Sequence, residues 1–198
     1  MKIIGLTGGI ATGKSTVSQI LAKRGYEIID ADAVVRELQV AGSPLLCEMV
    51  NAFGITILHN DGSLNRGELA KIIFSNESAR RMLNQIVHPA VRAEFEKRIK
   101  GSKADLLFLE VPLLFEAGFD DMTCANLVIS AQEKVQRMRL MLRDGLSIQE
   151  AQERISSQMT MSEKVARADF VIDNSGDLNG LEESVDRVLN GIKRSGDL

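Results

Sequence analysis

The sequence is poor in features that mark membrane and nucleic-acid-binding proteins. Its 198 residues include no tryptophan, and the net charge at pH 7 is −3. The chain therefore has no global basic field to attract nucleic acid or anionic lipid. No apolar stretch approaches the roughly 18 residues that cross a membrane. These absences favour a soluble globular protein with no nucleic-acid or membrane partner, in which any anion is bound locally.

Cysteine is scarce as well. Cys47 and Cys124 lie 77 positions apart, without metal-ligand spacing or a disulfide framework. We expect both to be small core residues of a protein in a reducing compartment. The apolar run in the opening MKIIGLTGG is about four residues long, shorter than the roughly 7–15 residues of a signal-peptide core. The sequence thus predicts a cytoplasmic protein.

Short apolar runs alternate with segments of helical periodicity. Continuous apolar runs are typical of parallel strands that are covered on both faces. Helical spacing between them is clearest near the end of the chain, at Leu181, Val185, Val188 and Ile192. The pattern predicts an α/β fold with a five-stranded parallel sheet flanked by helices. The five runs are 3–6, 26–29, 106–111, 127–129 and 170–172.

Two intervals are longer than a crossover helix requires. About 75 residues separate the second and third runs, so this interval must contain a subdomain. Its predicted helices cover 44–53, 67–74 and 79–100, the last as one or two helices near Pro89. The second interval, 133–168, is predicted to be a helical pair divided by Gly145.

The first run leads into a glycine-rich motif. GGIATGKS, residues 8–15, fits G-x-x-x-x-G-K-[ST], with a strand before it and an amphipathic helix after it. The glycines let backbone N–H groups converge on phosphate oxygens at a helix N-terminus. Lys14 would reach the β- and γ-phosphates, and the Ser15 hydroxyl would bind Mg²⁺. Residues 8–16, called the P-loop below, therefore predict a nucleoside triphosphate site.

Two aspartates follow the second run, at the sheet edge where α/β proteins bind ligands. Asp30 suits the role of helix N-cap or of a structural group. Asp32 is the better candidate for accepting a proton from an attacking hydroxyl, and a carboxylate here could also serve Mg²⁺.

Three polar residues elsewhere are candidates for the site. Glu110 ends the third run, where a magnesium-associated acid often stands. Glu116 follows in an apolar segment and could approach an acceptor substrate. His88, beside Pro89, lies in the large interval that should hold that acceptor; a surface or capping role is the alternative for this histidine.

Arginines are concentrated in the second interval. Arg139 and Arg143 share a helix face, with Arg137, Arg154 and Lys164 nearby. Such a face is commonly just solvated. Beside a triphosphate site, however, mobile arginines can close over the γ-phosphate, exclude water and stabilise the transferring charge. The interval is therefore predicted to be a lid.

These motifs together resemble one family. GLTGGIATGKSTV, IIDADAVVREL, DGSLNRGELAKIIF, HPAVR, VPLLFEAG, RMRLMLRDGLSIQEAQERISSQM and ADFVIDNSGDL occur in that order and resemble the dephospho-coenzyme A kinases, from Lys2 to about Ile192. A departure is Ala11-Thr12, where the family commonly has Gly-Ser. Glu110 stands at a position that varies in the family, which weakens a metal role for it.

The resemblance implies a nucleoside-monophosphate-kinase-like P-loop fold. It implies a core of residues 1–35, 101–132 and 168–198, a helical acceptor-binding subdomain over 36–100 and a lid over 133–167. The implied reaction transfers the γ-phosphate of ATP to the ribose 3′-hydroxyl of dephospho-coenzyme A, with Mg²⁺, as the last step of coenzyme A synthesis. A monomer or weak homo-oligomer is expected.

The family's functional residues carry over onto matching positions. Asp32, Lys14, Arg139 and Arg143 become the catalytic candidates, Asp32, His88 and Glu116 the acceptor contacts, and Ser15 the metal ligand. The ATP-binding set comprises Gly8, Gly9, Ile10, Ala11, Thr12, Gly13, Lys14, Ser15, Thr16 and Asn174.

Other functions remain open to the motifs alone. Another P-loop kinase for a small molecule or nucleotide would share the loop and the lid but differ in the acceptor subdomain. A regulatory GTPase would need an N-K-x-D segment, which the sequence lacks. A DNA-dependent ATPase would be expected to carry a basic track, which the acidic balance does not supply.

Overall fold

The chain folds around a five-stranded sheet flanked by helices, as the apolar runs predict. The structure is a computed structural model that describes residues 1–74, 76–176 and 178–194. Its strands and α-helices are β1 (Lys2–Gly8), α1 (Lys14–Lys23), β2 (Glu27–Asp30), α2 (Ala31–Leu38), α3 (Pro44–Phe53), α4 (Arg66–Phe74), α5 (Glu77–Gly101), β3 (Leu106–Glu110), β4 (Ala125–Ser130), α6 (Glu133–Asp144), α7 (Ile148–Ser156), α8 (Met161–Ala166), β5 (Phe170–Asp173) and α9 (Leu178–Arg194).

The order of the strands places β1 at the centre of the sheet. The order is β2-β3-β1-β4-β5, and β1 pairs in parallel with both β3 and β4. The register sets Leu6 opposite Glu110 and Gly8 opposite Ile129. The carboxyl ends of three strands therefore meet where β1 leads into the P-loop, which is the sheet edge where α/β proteins bind ligands.

Helices α1 and α9 bury the side chains of one face of the sheet. Ile4, Leu6 and Ile129 are buried together with Val17 and Leu21 of α1. The predicted stripe of α9 joins the same cluster, with Leu181, Val185 and Ile192 buried and Val188 partly buried. Burial of each such side chain contributes roughly 1.5–3 kcal/mol, and this cluster fixes the strand that carries the P-loop.

The chain divides into two compact units. One contains Met1–Ile29 and the chain from Lys103 onward, and the other contains Asp30–Ser102. The second unit has its own core around Leu45, Met49, Ile57 and Leu69. Segment 133–167 belongs to the first unit. The functional division into core, acceptor-binding subdomain and lid stays a prediction.

The helices of the large interval follow the predicted pattern. The sequence left open whether residues 79–100 form one helix or two, and the structure has one. α3 begins at Pro44 behind the Ser43 cap, whose hydroxyl accepts from the Leu46 amide at 3.2 Å. α5 is a single helix that continues through Pro89. An interior proline costs about 3 kcal/mol. Burial of Val91 and Phe95 beyond it offsets that cost.

Two expectations are wrong. The interval 133–168 contains three helices instead of a pair, because α8 forms behind Thr160, which makes a capping box with Glu163. Cys47 and Cys124 are free and exposed, not part of the core. No helix within the described residues is long and apolar enough to span a bilayer.

Candidate functional site

The P-loop has a left-handed backbone at two positions. Gly13, the residue before α1, has φ = 91°, and Ala11 has φ = 59°. A Cβ atom on Gly13 would lie 2.1 Å from Asn174 Nδ2, so this position has no room for a side chain. Ala11 adopts a conformation that costs an L-residue roughly 1–2 kcal/mol. The surrounding structure must therefore hold the loop in shape.

The amides of the loop are open to an anion. Among the described residues, none provides a hydrogen-bond acceptor for the backbone N–H groups of Ala11, Gly13, Lys14 and Ser15. The Thr12 carbonyl, in contrast, accepts from Asn174 Nδ2 at 2.8 Å and from Arg139 Nη1 at 3.3 Å. Four such N–H groups at a helix N-terminus form a site whose chemistry fits phosphate oxygens.

A carboxylate holds the P-loop lysine. The Lys14 ammonium donates to Glu110 Oε1 in an ion pair, and the Ser18 hydroxyl donates to Glu110 Oε2. Glu110 is buried, at 7% exposure. Lys14 and Ser18 are one helical turn apart on α1, so both reach the end of β3 from one helix face. Glu110 is therefore the counter-ion of Lys14.

The two predicted lid arginines have different surroundings. Arg139 lies against the P-loop, where Nη2 donates to the Asn174 carbonyl at 2.9 Å and Nη1 to Thr12. Arg143 instead donates to Asp144 from Nε at 2.7 Å and Nη2 at 3.0 Å. Those hydrogen bonds, with help from Arg154, hold the pKa of the Asp144 carboxyl below its usual value. The structure thus brings Arg139 to the loop but not Arg143.

Glu116 is bound to a lysine of α8. Lys164 is fully buried and donates to Glu116 Oε1 at 2.6 Å and Oε2 at 2.9 Å. The Met159 amide donates to the same carboxylate at 3.2 Å. Glu116 therefore joins the chain after β3 to the start of α8, and its predicted contact with an acceptor stays a prediction. Lys164 is not part of a solvated basic face.

Asp30 and Asp32, at the start of the second unit, have separate roles. Asp30 is the N-cap of α2, with Oδ1 accepting from the Asp32 amide at 2.8 Å. This geometry confirms the capping alternative for Asp30. Asp32 lies in the first turn of α2 and is exposed. Its carboxylate has no hydrogen-bond or ionic partner in the part of the chain that the structure describes, which leaves it available to a hydroxyl group.

His88 is a half-buried residue of α5. Burial lowers the pKa of its imidazole below the ordinary 6.5, and the positive charge of Arg92, one turn later, lowers it further. The ring is therefore mostly neutral at pH 7. A neutral imidazole has one donor and one acceptor nitrogen.

Two contacts of the site could not be predicted from the sequence, and a third had a usable signal. Gln158 Oε1 accepts from the Ile10 amide at 2.9 Å, although nothing distinguishes this glutamine in a polar segment. Lys164 also reads as a surface residue. Glu110 had a usable signal, because the carboxyl ends of neighbouring parallel strands share an edge. Its pairing with Lys14 follows from that placement and from opposite charge.

The site also fits a magnesium ion. No group of three or more His, Cys, Asp or Glu side chains is gathered for a metal within the described ranges. Mg²⁺ commonly keeps several waters and takes few protein ligands beside the phosphates of a nucleotide. The exposed Ser15 hydroxyl, next to the four free amides, supplies an oxygen of that kind.

Comparison with known proteins gives one consistent family. Residues 2–180 match the family model described as dephospho-CoA kinase. The dephospho-CoA kinase of Anaeromyxobacter dehalogenans is 43% identical over 196 residues, covering 98% of this chain and 93% of its own. That of Gloeobacter violaceus is 45% identical over 188 residues, covering 95% and 91%.

Solved structures similar to this chain include a member of the same family. A crystal structure of a Thermus thermophilus protein has a TM-score of 0.84 at 35% identity, covering 96% of this chain and 97% of that chain. Dephospho-CoA kinase from Campylobacter jejuni has a TM-score of 0.73 at 29% identity, covering 98% and 99%. A shikimate kinase from Bacteroides thetaiotaomicron, with a TM-score of 0.52 at 17% identity and coverage of 97% and 98%, shares the fold alone.

The ion pair between the buried Lys164 and Glu116 gives a stability prediction. Glu116→Gln leaves the Lys164 ammonium buried without a counter-ion, and we expect a loss of about 3 kcal/mol in the free energy of unfolding, measured by urea denaturation. Lys164→Met in the same chain should recover most of that loss, because the isolated charge is then gone.

Arg154→Gln is the matched control, since it breaks the exposed ion pair with Asp144. It should cost under about 1 kcal/mol. The assignment fails if Glu116→Gln is no more destabilising than this control.

The environment of His88 gives a titration prediction. Its NMR titration midpoint should lie below 6.5, so its contribution to stability is present above that pH and is lost as the pH falls. Arg92→Gln should raise the midpoint only partly, because burial is the larger cause. Arg80→Gln, two turns before His88 on the same helix, should leave it unchanged. A wild-type midpoint at or above 6.5 would contradict the prediction.

Proposed function

This chain belongs to the dephospho-CoA kinase family, and from that premise we propose which residues perform its reaction. The chain is an ATP-dependent kinase that phosphorylates the ribose 3′-hydroxyl of dephospho-coenzyme A and so completes coenzyme A. The observation that carries the proposal is the set of four P-loop amides without an acceptor among the described residues. A preformed site of this kind binds a triphosphate without reorganising the backbone.

Lys14 is the proposed ligand of the β- and γ-phosphates. Its ammonium is held by Glu110 on the adjacent strand, so it lies at the loop before the nucleotide arrives. Binding then exchanges one anionic partner for another. Because ion pairing is retained in both states, the exchange requires little net loss of charge stabilisation. Gly8 to Thr16 supply the rest of the proposed phosphate contacts.

We propose the Ser15 hydroxyl as the protein ligand of Mg²⁺. The ion, when bound, neutralises charge on the phosphate oxygens and so lowers the barrier to attack. The hydroxyl lies at the start of α1, next to the amides that would hold the same phosphates.

Arg139 and Arg143 are the proposed stabilisers of the transferring group. Arg139 already contacts the P-loop carbonyls. Arg143, one turn further along α6, is mostly exposed and would have to exchange Asp144 for phosphate. An arginine in this role contributes roughly 10³–10⁵ to the rate of phosphoryl transfer. Asn174, which donates to the Thr12 carbonyl, is the proposed contact on the adenosine side of ATP.

Asp32 is the proposed general base. Its exposed carboxylate stands at a helix start that the Asp30 cap holds in place, and it has no competing partner within the described residues. It would accept the proton of the ribose 3′-hydroxyl as the oxygen attacks the γ-phosphorus. General-base assistance of this kind is worth about 10²–10⁴ in rate.

His88 and Glu116 are the proposed acceptor contacts. The depressed pKa of His88 keeps the imidazole neutral, which suits a hydrogen bond to a sugar or amide group. Glu116 keeps 22% of its side chain exposed beside its bond to Lys164. We also propose a cytoplasmic location, which two free cysteines support, and a monomeric or weakly oligomeric state.

Substrate choice tests the function directly. A coupled assay of ADP release should respond to dephospho-coenzyme A and not to AMP, shikimate or pantothenate. Coenzyme A is the matched control, because its 3′-oxygen is already phosphorylated and it should give no turnover. Turnover only with an acceptor other than dephospho-coenzyme A would favour the alternative, another P-loop small-molecule kinase.

Asp32→Asn tests the assignment of the base. We expect kcat to fall by about 10²–10⁴ while the Kd for ATP, measured by isothermal titration, stays at the wild-type value. Glu48→Gln, which removes another exposed carboxylate of the second unit, should change neither quantity. Intact ATP binding with an almost unchanged kcat would exclude Asp32 as the base.

A further inference from the structure

The Gly9–Ile10 peptide of the P-loop is held at both ends. Its carbonyl, on Gly9, accepts from the Thr12 hydroxyl at 2.9 Å and from the Thr12 amide at 3.3 Å. Its N–H, on Ile10, donates to Gln158 Oε1 at 2.9 Å. The C=O and N–H of one trans peptide point in opposite directions, so Thr12 and Gln158 fix its orientation from opposite sides.

Rotation of this peptide is one way in which the loop could change shape. Gly9 has no Cβ and tolerates rotation that other residues resist. The next residue but one, Ala11, already has a left-handed backbone at φ = 59°. A flipped peptide would withdraw the Gly9 carbonyl from Thr12. The Thr12–Gly13 peptide carries one of the four free amides, so the flip would disturb the triphosphate site.

The chain that follows Gln158 is itself held in place by contacts with Glu116. The next residue, Met159, donates its amide to Glu116 Oε1 at 3.2 Å. Thr160 then caps α8, and the buried Lys164 of that helix binds the same carboxylate. A cavity of about 220 Å³ lies between this segment and the P-loop, lined by Gly9, Ile10 and Gln158 among others. The side-chain amide therefore spans from an anchored segment to the loop.

We propose that Gln158 is a positioning residue of the donor site, which fixes the Gly9–Ile10 peptide and through it the amides that receive the triphosphate. Its side-chain oxygen accepts from the Ile10 N–H, just before the four amides that have no acceptor among the described residues, and it contacts none of those four. The inference rests on the proposed function, because it assigns the triphosphate to these amides. It makes Gln158 a determinant of ATP affinity without any contact between Gln158 and the phosphates.

Two variants test the proposal by ATP binding without acceptor. Gln158→Met keeps the length of the side chain but has no amide oxygen, and Gln158→Asn keeps the amide but is one methylene too short. Loss of one hydrogen bond should raise the Kd for ATP by about threefold to tenfold in each variant. Exchange of the Ile10 amide with solvent deuterium should become faster, whereas that of Leu127 in β4 should not change. The KM for dephospho-coenzyme A should also remain unchanged.

Gln149→Met and Gln149→Asn are the matched controls, because Gln149 is an exposed glutamine of α7 that donates to Glu153. The proposal is wrong if both Gln158 variants bind ATP as tightly as these controls. It is equally wrong if they bind more tightly, which would make the contact a latch that ATP must open. Wild-type ATP binding without transfer to dephospho-coenzyme A would instead overturn the proposed function and leave the role of Gln158 standing.

Discussion

The site depends on which hydrogen-bond partners the N–H and C=O groups of each P-loop peptide have. Turning an N–H group toward a phosphate sends the carbonyl of the same peptide to the other side, where it needs a donor of its own. The Gly13 N–H is free because the Thr12 carbonyl is held by Asn174 and Arg139. Residues far away in sequence thus supply the donors for a carbonyl of the loop. The Gly13 amide belongs to the loop, but the donors to the carbonyl of the same peptide come from α6 and from Asn174, the residue after β5.

Two glutamates near the end of β3 distribute charge around this arrangement. Glu110 holds Lys14 and Glu116 holds Lys164, but the two lysines differ in access. Lys164 is fully buried, so loss of its counter-ion would leave an isolated charge in the interior. Lys14 keeps 14% of its side chain exposed at the sheet edge, beside the proposed phosphate site. The chain at and after the end of β3 therefore supplies the counter-ions of both lysines.

The features of the fold and the site that follow a repeating or local sequence pattern could be predicted from the sequence. The five strands, the stripe of α9 and the P-loop follow from periodicity and from fixed glycine spacing. The cap at Asp30 follows from the residues beside it. The pairing of Glu116 with Lys164 joins residues 48 apart, and that of Gln158 with Ile10 joins residues 148 apart. No local pattern encodes such pairs, because the tertiary fold alone brings the partners together. Cys47 shows the same limit, since a short apolar residue in an amphipathic helix can lie on either face.

These long-range contacts also limit how segment 133–167 can move. Arg139 on α6 binds the P-loop, Gln158 after α7 binds it again, and Lys164 binds Glu116. The longest stretch of the segment between these contacts is the chain between residues 139 and 158, so a motion that keeps all three contacts has the most room there. That stretch includes the α6–α7 turn, where Gly145 ends α6 with φ = 69°. Arg143 lies on this freer side and Arg139 on the anchored side. The two arginines therefore differ in their contacts, because Arg139 is bound to the P-loop while Arg143 is paired with the neighbouring Asp144.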